Sequence, residues 1–174
     1  AGLDQPSGGV LSAGNAGLAA SRSDIRLMFQ DSRLLPWKRV IDNVGLGLTG
    51  DWRAKALQAL DAVGLAGAAN TRVGKYSKGM QMRLTFARSL INDPELLYLD
   101  EPTSGLDPVN ARKVKNMIVD LKSRGRTVFL TTHDMATANE LCDRVAFVVD
   151  GQIVALDTPT ELKIARSQRL VRVE

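Results

Sequence analysis

Leu96 to Leu99 (LLYL) is a short apolar run closed by Pro94 on one side and Pro102 on the other, and it ends in two adjacent carboxylates, Asp100 and Glu101. A run this short and this uniformly apolar reads as a strand buried on both faces of a parallel sheet. Thr127 to Thr132 (TVFLTT) predicts a second buried strand. Between them, Pro108 to Lys122 predicts a helix, with Val114, Met117, Ile118 and Leu121 on one face and Gly125 at its end. Proline at the first turn fits, because its missing N–H has no helical partner there. Met135 to Cys142 predicts another helix. Arg144 to Val149 and Gln152 to Leu156 flank Asp150-Gly151, a two-residue hairpin signal. Strands alternating with helices in this way argue for an α/β fold with a mostly parallel sheet.

The first half is less periodic. Ala1 to Gly9 is rich in turn formers, and Val10-Leu11 could open a short strand. Ile25 to Gln30 (IRLMFQ) is strand-like, whereas Val40 to Leu48 is ambiguous between helix and strand. Trp52, Ala56, Leu60 and Val63 recur at helical spacing up to Gly64. A further helix is expected from Lys78 to Leu90, ended by Asp93-Pro94.

The 174 residues, 44% of them hydrophobic, suit one compact domain. The formal charge of +4 allows an anionic partner, but the charges are interleaved without a basic block, so no nucleic-acid partner is expected. Cys142 is the only cysteine, which excludes an internal disulfide and a cysteine metal cluster. No apolar run approaches the roughly 18 residues of a membrane span. Ala1 to Gly9 lacks the basic start and apolar core of a signal peptide.

Four features carry chemistry. Asp100 and Glu101 end a predicted strand, and open α/β sheets bind ligands beyond the carboxyl ends of their strands. One carboxylate can hold Mg²⁺ and the other can orient or deprotonate a water, the two tasks that hydrolysis of a nucleoside triphosphate requires. His133, the only histidine, follows the second strand, where it could donate a hydrogen bond to a terminal phosphate oxygen. Tyr76-Ser77-Lys78-Gly79-Met80-Gln81 sits at a helix start, with Ser77 suited to the N-cap and free N–H groups suited to an anion. Gln30 follows a strand, where its amide can ligate Mg²⁺ or hold a water. Each feature alone also fits an ordinary structural role.

In this order and spacing the four features resemble the nucleotide-binding domain of ABC transporters, and the resemblance covers essentially the whole chain. It implies the P-loop NTPase fold with a helical subdomain. It makes Gln30 the Q-loop glutamine, a ligand of Mg²⁺ that also senses the transmembrane partner. Tyr76 to Gln81 becomes the signature motif, with Ser77, Lys78, Gly79 and Gln81 facing the ATP of the opposite subunit. Leu96 to Asp100 becomes the Walker B strand, with Asp100 on the metal. Glu101 becomes the catalytic base. Ser104 to Asp107 becomes the D-loop at the dimer interface, and His133 the switch histidine. The implied cofactors are ATP and Mg²⁺. The implied partners are a second ATP-binding subunit, identical or different, and a pair of transmembrane permease subunits docked near the Gln30 to Trp37 loop. The implied location is the cytoplasmic face of the membrane.

The sequence also departs from that pattern. The phosphate loop G-x-x-x-x-G-K-S/T is not among these residues; by the resemblance it precedes Ala1, so the chain reads as truncated at its N-terminus. Residues 1–30 then correspond to a remnant of the ATP-binding core and β-subdomain. Residues 31–91 hold the Q-loop, helical subdomain and signature helix, and 92–174 hold the catalytic core. Without the missing strand and helix, the Leu96 and Thr127 strands are expected to expose apolar surface, and the isolated chain is expected to be poorly stable and prone to aggregate. Phe29 to Leu48 resembles importers of aliphatic sulfonates, taurine or nitrate, whereas the stretch from about Thr71 resembles exporters of drugs or antibiotics. This fits either a composite joined near Gly64 to Gly74 or one divergent protein. As alternatives to a hydrolysing subunit, the chain could be a fragment without activity, because the phosphate loop is the main grip on the triphosphate, or a partner that lends only Ser77 and Gly79 to an intact ATPase.

Overall fold

The computed structural model describes residues 7–9, 12–13, 16–17 and 25–167. The expected strand at Val10-Leu11 lies outside these residues. A two-stranded antiparallel pair, β1 (Ser12–Ala13) and β2 (Ala16–Gly17), comes first. Then follow β3 (Ile25–Met28), α1 (Val40–Val44), α2 (Trp52–Ala62), α3 (Lys78–Leu90), β4 (Leu96–Asp100), α4 (Pro108–Ser123) and β5 (Thr127–Thr131). The described residues end in α5 (Met135–Leu141), β6 (Val145–Val149), β7 (Gln152–Asp157) and α6 (Pro159–Ser167). It divides into two compact units, Ala1–Thr131 and Thr132–Glu174.

In the first unit, β3, β4 and β5 form a parallel sheet with β4 in the middle. Its register sets Met28 opposite Leu99, and Asp100 opposite Thr131. Leu97 and Leu99 turn one face of β4 inward, and Val114, Ile118 and Leu121 of α4 are buried in the same unit. The ambiguous segment from Val40 is a helix: Val40, Ile41 and Val44 are all buried in α1. With Ala56 and Leu60 of α2 and Leu84 and Phe86 of α3 they make a helical core. Each fully buried Val, Leu, Ile or Phe side chain among them contributes on the order of 1.5–3 kcal/mol. Gly64, at φ +67, ends the α2 segment in the left-handed region that glycine tolerates.

The sheet corrects one expectation. β5 is not a strand buried on both faces: Thr127, Phe129 and Thr131 are exposed, and Val128 and Leu130 only half-buried. Among the described residues β5 is an edge strand with helices against one face only. Phe129, 56% exposed, lies tilted against Tyr98 with ring centroids 5.2 Å apart. Apolar content alone therefore overstated its burial.

In the second unit, β6 and β7 form an antiparallel hairpin around Asp150 (φ +48) and Gly151 (φ +75), the two positive φ values of a tight hairpin turn. The register shifts between Phe147 and Val148. Asp134 caps α5, accepting from the Ala136 N–H at 2.9 Å. Cys142 is half-buried.

Candidate active site

β4 delivers Asp100 and Glu101 to the carboxyl edge of the sheet, where the last residue of β5 holds both. The Thr131 hydroxyl donates to Asp100 Oδ1 at 2.6 Å. The Glu101 N–H donates to the Thr131 carbonyl at 3.1 Å. Glu101 itself has φ +48. A non-glycine residue enters that region at a cost of about 1–2 kcal/mol, and such strain gathers at functional sites. The strain bends the chain off the strand: the Ser104 N–H returns to the Glu101 carbonyl at 3.1 Å. Both carboxylates are half-buried.

Gln30 lies two residues beyond Met28, and Glu101 lies two residues beyond Leu99, the register partner of Met28. Parallel strands therefore bring Gln30 and the carboxylate pair to the same sheet edge, with Gln30 exposed. The loop after it is fastened along its length. The Arg33 guanidinium lies 3.6 Å from the centroid of the Phe29 ring, and Arg33 has φ +44. Asn43, 0% exposed, accepts from the Leu35 N–H at 2.7 Å and donates to the carbonyls of Leu35 and Arg39 at 3.1 and 3.0 Å. Trp37 stands 68% exposed on this loop.

At the start of α3, Ser77 is the N-cap, its Oγ accepting from the Met80 N–H at 3.3 Å. Ser77 and Lys78 are exposed. Gly79 is buried against Asn110 of α4, so closely that a Cβ would stand 2.5 Å from Asn110 Cγ. The Lys78 ammonium lies against Gly105, which has φ +65. The Gln81 side chain turns back and donates to the Tyr76 carbonyl at 3.1 Å. Burial pushes the Tyr76 phenol above its usual range, partly offset by the charge of Arg83.

Asp107 serves α4: its Oδ1 accepts from the N–H groups of Val109 and Asn110, and its Oδ2 from Asn110 Nδ2 at 2.6 Å. The Asn110 side chain first, and then the backbone N–H groups, hold this carboxyl below the usual carboxylate range. His133 is exposed in the second unit, next to the α5 cap Asp134.

The structure thus gathers Asp100, Glu101 and Thr131 at one point and sets Gln30 on the same edge. It joins the Ser77–Gly79 helix start to the segment of Gly105, Asp107 and Asn110. Sequence reasoning missed Thr131, Asn43 and Arg88. A threonine in register with a strand-end carboxylate is a usable signal once the pairing of two strands is known. A buried asparagine in a short apolar helix offers none.

A family model described as ABC transporter matches residues 1–104, more than half of the chain. The chain belongs to the ABC transporter family. It is 84% identical, over 121 residues, to a fluoroquinolones export ATP-binding protein of Mycobacterium tuberculosis, an alignment covering 70% of this chain and 40% of that protein. It is 55% identical over 174 residues to an aliphatic sulfonates import ATP-binding protein of Pseudomonas aeruginosa, covering 99% of this chain and 63% of that one. The chain therefore spans between two-fifths and two-thirds of the length of these relatives. Among solved structures, cbiO1 from Clostridium perfringens, part of an ABC transporter complex, aligns with TM-score 0.80 at 26% identity, over 98% of this chain and 76% of that one. A dimeric ATP-binding cassette bound to ADP and Pi aligns with TM-score 0.69 at 29% identity, over 79% and 64% of the two chains. The fold is accordingly that of ABC ATPase nucleotide-binding domains, a P-loop NTPase fold. Exporter and importer subunits are both relatives, in line with the two resemblances read from the sequence.

Proposed function

We propose that this chain is the catalytic and signature-bearing part of the ATP-binding subunit of an ABC transporter, hydrolysing ATP to drive transport across a membrane. The observation that carries this is the Asp100–Glu101 pair at the end of the central parallel strand, with Glu101 turned off the strand by its positive φ. Glu101 is the base that takes a proton from the attacking water. Asp100 and Gln30 are the protein ligands for Mg²⁺. Their donors are hard oxygens and few, which suits an ion that keeps several waters and shares the triphosphate. When bound, Mg²⁺ would supply neutralisation of phosphate charge. His133 donates to the γ-phosphate. Ser77, Lys78, Gly79 and Gln81 face the nucleotide of a second subunit, where a helix N-terminus offers N–H groups to an anion, and Asp107 with its loop lies at that interface.

Permease subunits are the membrane partners, met by the loop that carries Trp37. Among the described residues no helix is long and apolar enough to cross a membrane, which fits a subunit held at the cytoplasmic face by its partners.

Phosphate release from ATP and Mg²⁺ tests the proposal, with the chain assayed alone and mixed with a full-length ATP-binding subunit. Glu101→Gln should lower the chain's turnover by about a hundredfold or more, since it removes the group that acts on the water. Activity that responds to Ser77→Arg but ignores Glu101→Gln would instead make the chain a partner that lends only its helix start. Indifference to both substitutions would end the proposal.

A further inference from the structure

Arg88 lies in the last turn of α3, 55 residues along the chain from Arg33. Its Nη1 donates to the Arg33 carbonyl at 3.1 Å and its Nη2 to the Ser32 carbonyl at 3.4 Å. One planar fork thus grips two consecutive carbonyls of the loop that begins at Gln30, a geometry for which a guanidinium is suited and an ammonium is not. The loop has already been bent to present those carbonyls, with Arg33 at φ +44 and its own guanidinium folded over Phe29. The far end of the same loop is tied to the segment that leads into α3: the Gly74 N–H donates to the Pro36 carbonyl at 2.9 Å, and the Val73 N–H to the Lys38 carbonyl at 3.1 Å.

We infer that Arg88 is a positioning residue for Gln30, fastening the loop after it to α3 so that the amide at 30 and the helix start at Ser77–Gly79 move as one body. The inference rests on the functional reading above for the meaning of Gln30 and Ser77. The lever is short and stiff, because the ten residue steps from Lys78 to Arg88 span roughly 15 Å of continuous helix. Arg88 is half-buried, and that burial, and then the charge of Arg33, draw its pKa below its usual value. A cation is held in such a place when its hydrogen bonds compensate the lost hydration.

Amide hydrogen exchange on the whole chain without nucleotide is the test. Arg88→Met keeps the apolar stem and removes the fork, so exchange of the Leu35 N–H, which is bonded to Asn43, should rise about tenfold while Leu84 to Ala87 stay within about twofold. Arg88→Lys should restore part of the protection. In the unsubstituted chain the Arg88 guanidinium protons should exchange and rotate slowly by NMR, a reading that needs no variant to fold. Turnover of ATP should fall about tenfold in Arg88→Met with KM within about twofold, as loss of geometry rather than of binding. A loop that stays protected in Arg88→Met, exchange that rises equally through α3, or a freely rotating guanidinium each overturns the inference. If the exchange pattern is found in a chain that hydrolyses nothing, the functional reading fails and the fastening stands. If hydrolysis depends on Glu101 while kcat ignores Arg88→Met, the functional reading stands and the positioning role falls.

Discussion

Thr131 donates its hydroxyl to Asp100 across the β4–β5 pair at 2.6 Å, while its carbonyl accepts the N–H of Glu101 at 3.1 Å. One residue of the edge strand thereby aims one carboxylate and anchors the backbone of the other. Thr131→Val keeps the shape and the main-chain bond but removes the hydroxyl. Because Thr131 is exposed, the expected loss of stability is small, about 0.5–1.5 kcal/mol by urea unfolding. The larger effect should fall on Mg²⁺: the concentration needed for half-maximal ATP turnover should rise, because Asp100 is no longer held in place. An unchanged Mg²⁺ dependence would remove Thr131 from the site.

Glu101 separates strain from chemistry. Glu101→Gly should relieve the positive φ and stabilise the chain by up to about 1 kcal/mol, the steric relief being partly offset by glycine's greater unfolded entropy. Glu101→Gln keeps the strain and should leave the unfolding midpoint where it is. Both should lower hydrolysis by about a hundredfold or more. Equal midpoints for the two variants would show that the backbone at 101 is not strained.

Asn43 is fully buried and makes hydrogen bonds to Leu35 and Arg39. Asn43→Ala leaves the Leu35 N–H without its acceptor, while the carbonyls of Leu35 and Arg39 keep the N–H groups of Lys38 and Asn43, a cost of roughly 1–3 kcal/mol. The loosened loop should be cut by trypsin at Lys38 and Arg39 sooner than in the parent chain. Cleavage at an unaltered rate would show that Asn43 does not hold the loop.

Asp107 gives the expected dependence on acid. Its folded pKa is lowered, so the stability it contributes is present above the unfolded carboxylate value of about 4 and is lost as pH falls through the folded value. Asp107→Ala should therefore lower the melting temperature at neutral pH, and the gap between variant and parent should close in acid. A gap that is independent of pH would mean that the cap acts without its charge.

Much of this was legible in the residues. The helix from Lys78 to Leu90 runs over the residues expected of it, because Ser77 supplies a cap at one end and Asp93-Pro94 a stop at the other. Asp150-Gly151 likewise announced its hairpin. The carboxylates of Asp100 and Glu101 could be placed at a strand end because Pro94 and Pro102 left little room for anything else. Burial of β5 was not legible, since TVFLT reads the same whether or not something covers its second face. Nor were Thr131 and Arg88, whose partners depend on a register or lie more than fifty residues away. Asn43 bonds to Leu35 and Arg39 close by in the chain, but an apolar run does not say that its amide turns inward.

Phe129 and Tyr98 lean together on the uncovered side of the sheet. Water must order itself around a pair of rings that it cannot bond, and the sheet gains free energy whenever another apolar surface displaces that water. Among the described residues this pleat is one place where the solubility ceiling of the chain is set. Lowering salt or adding a mild detergent should raise that ceiling, and so should a polar side chain at 129, without disturbing the carboxylates one and two residues beyond Leu99.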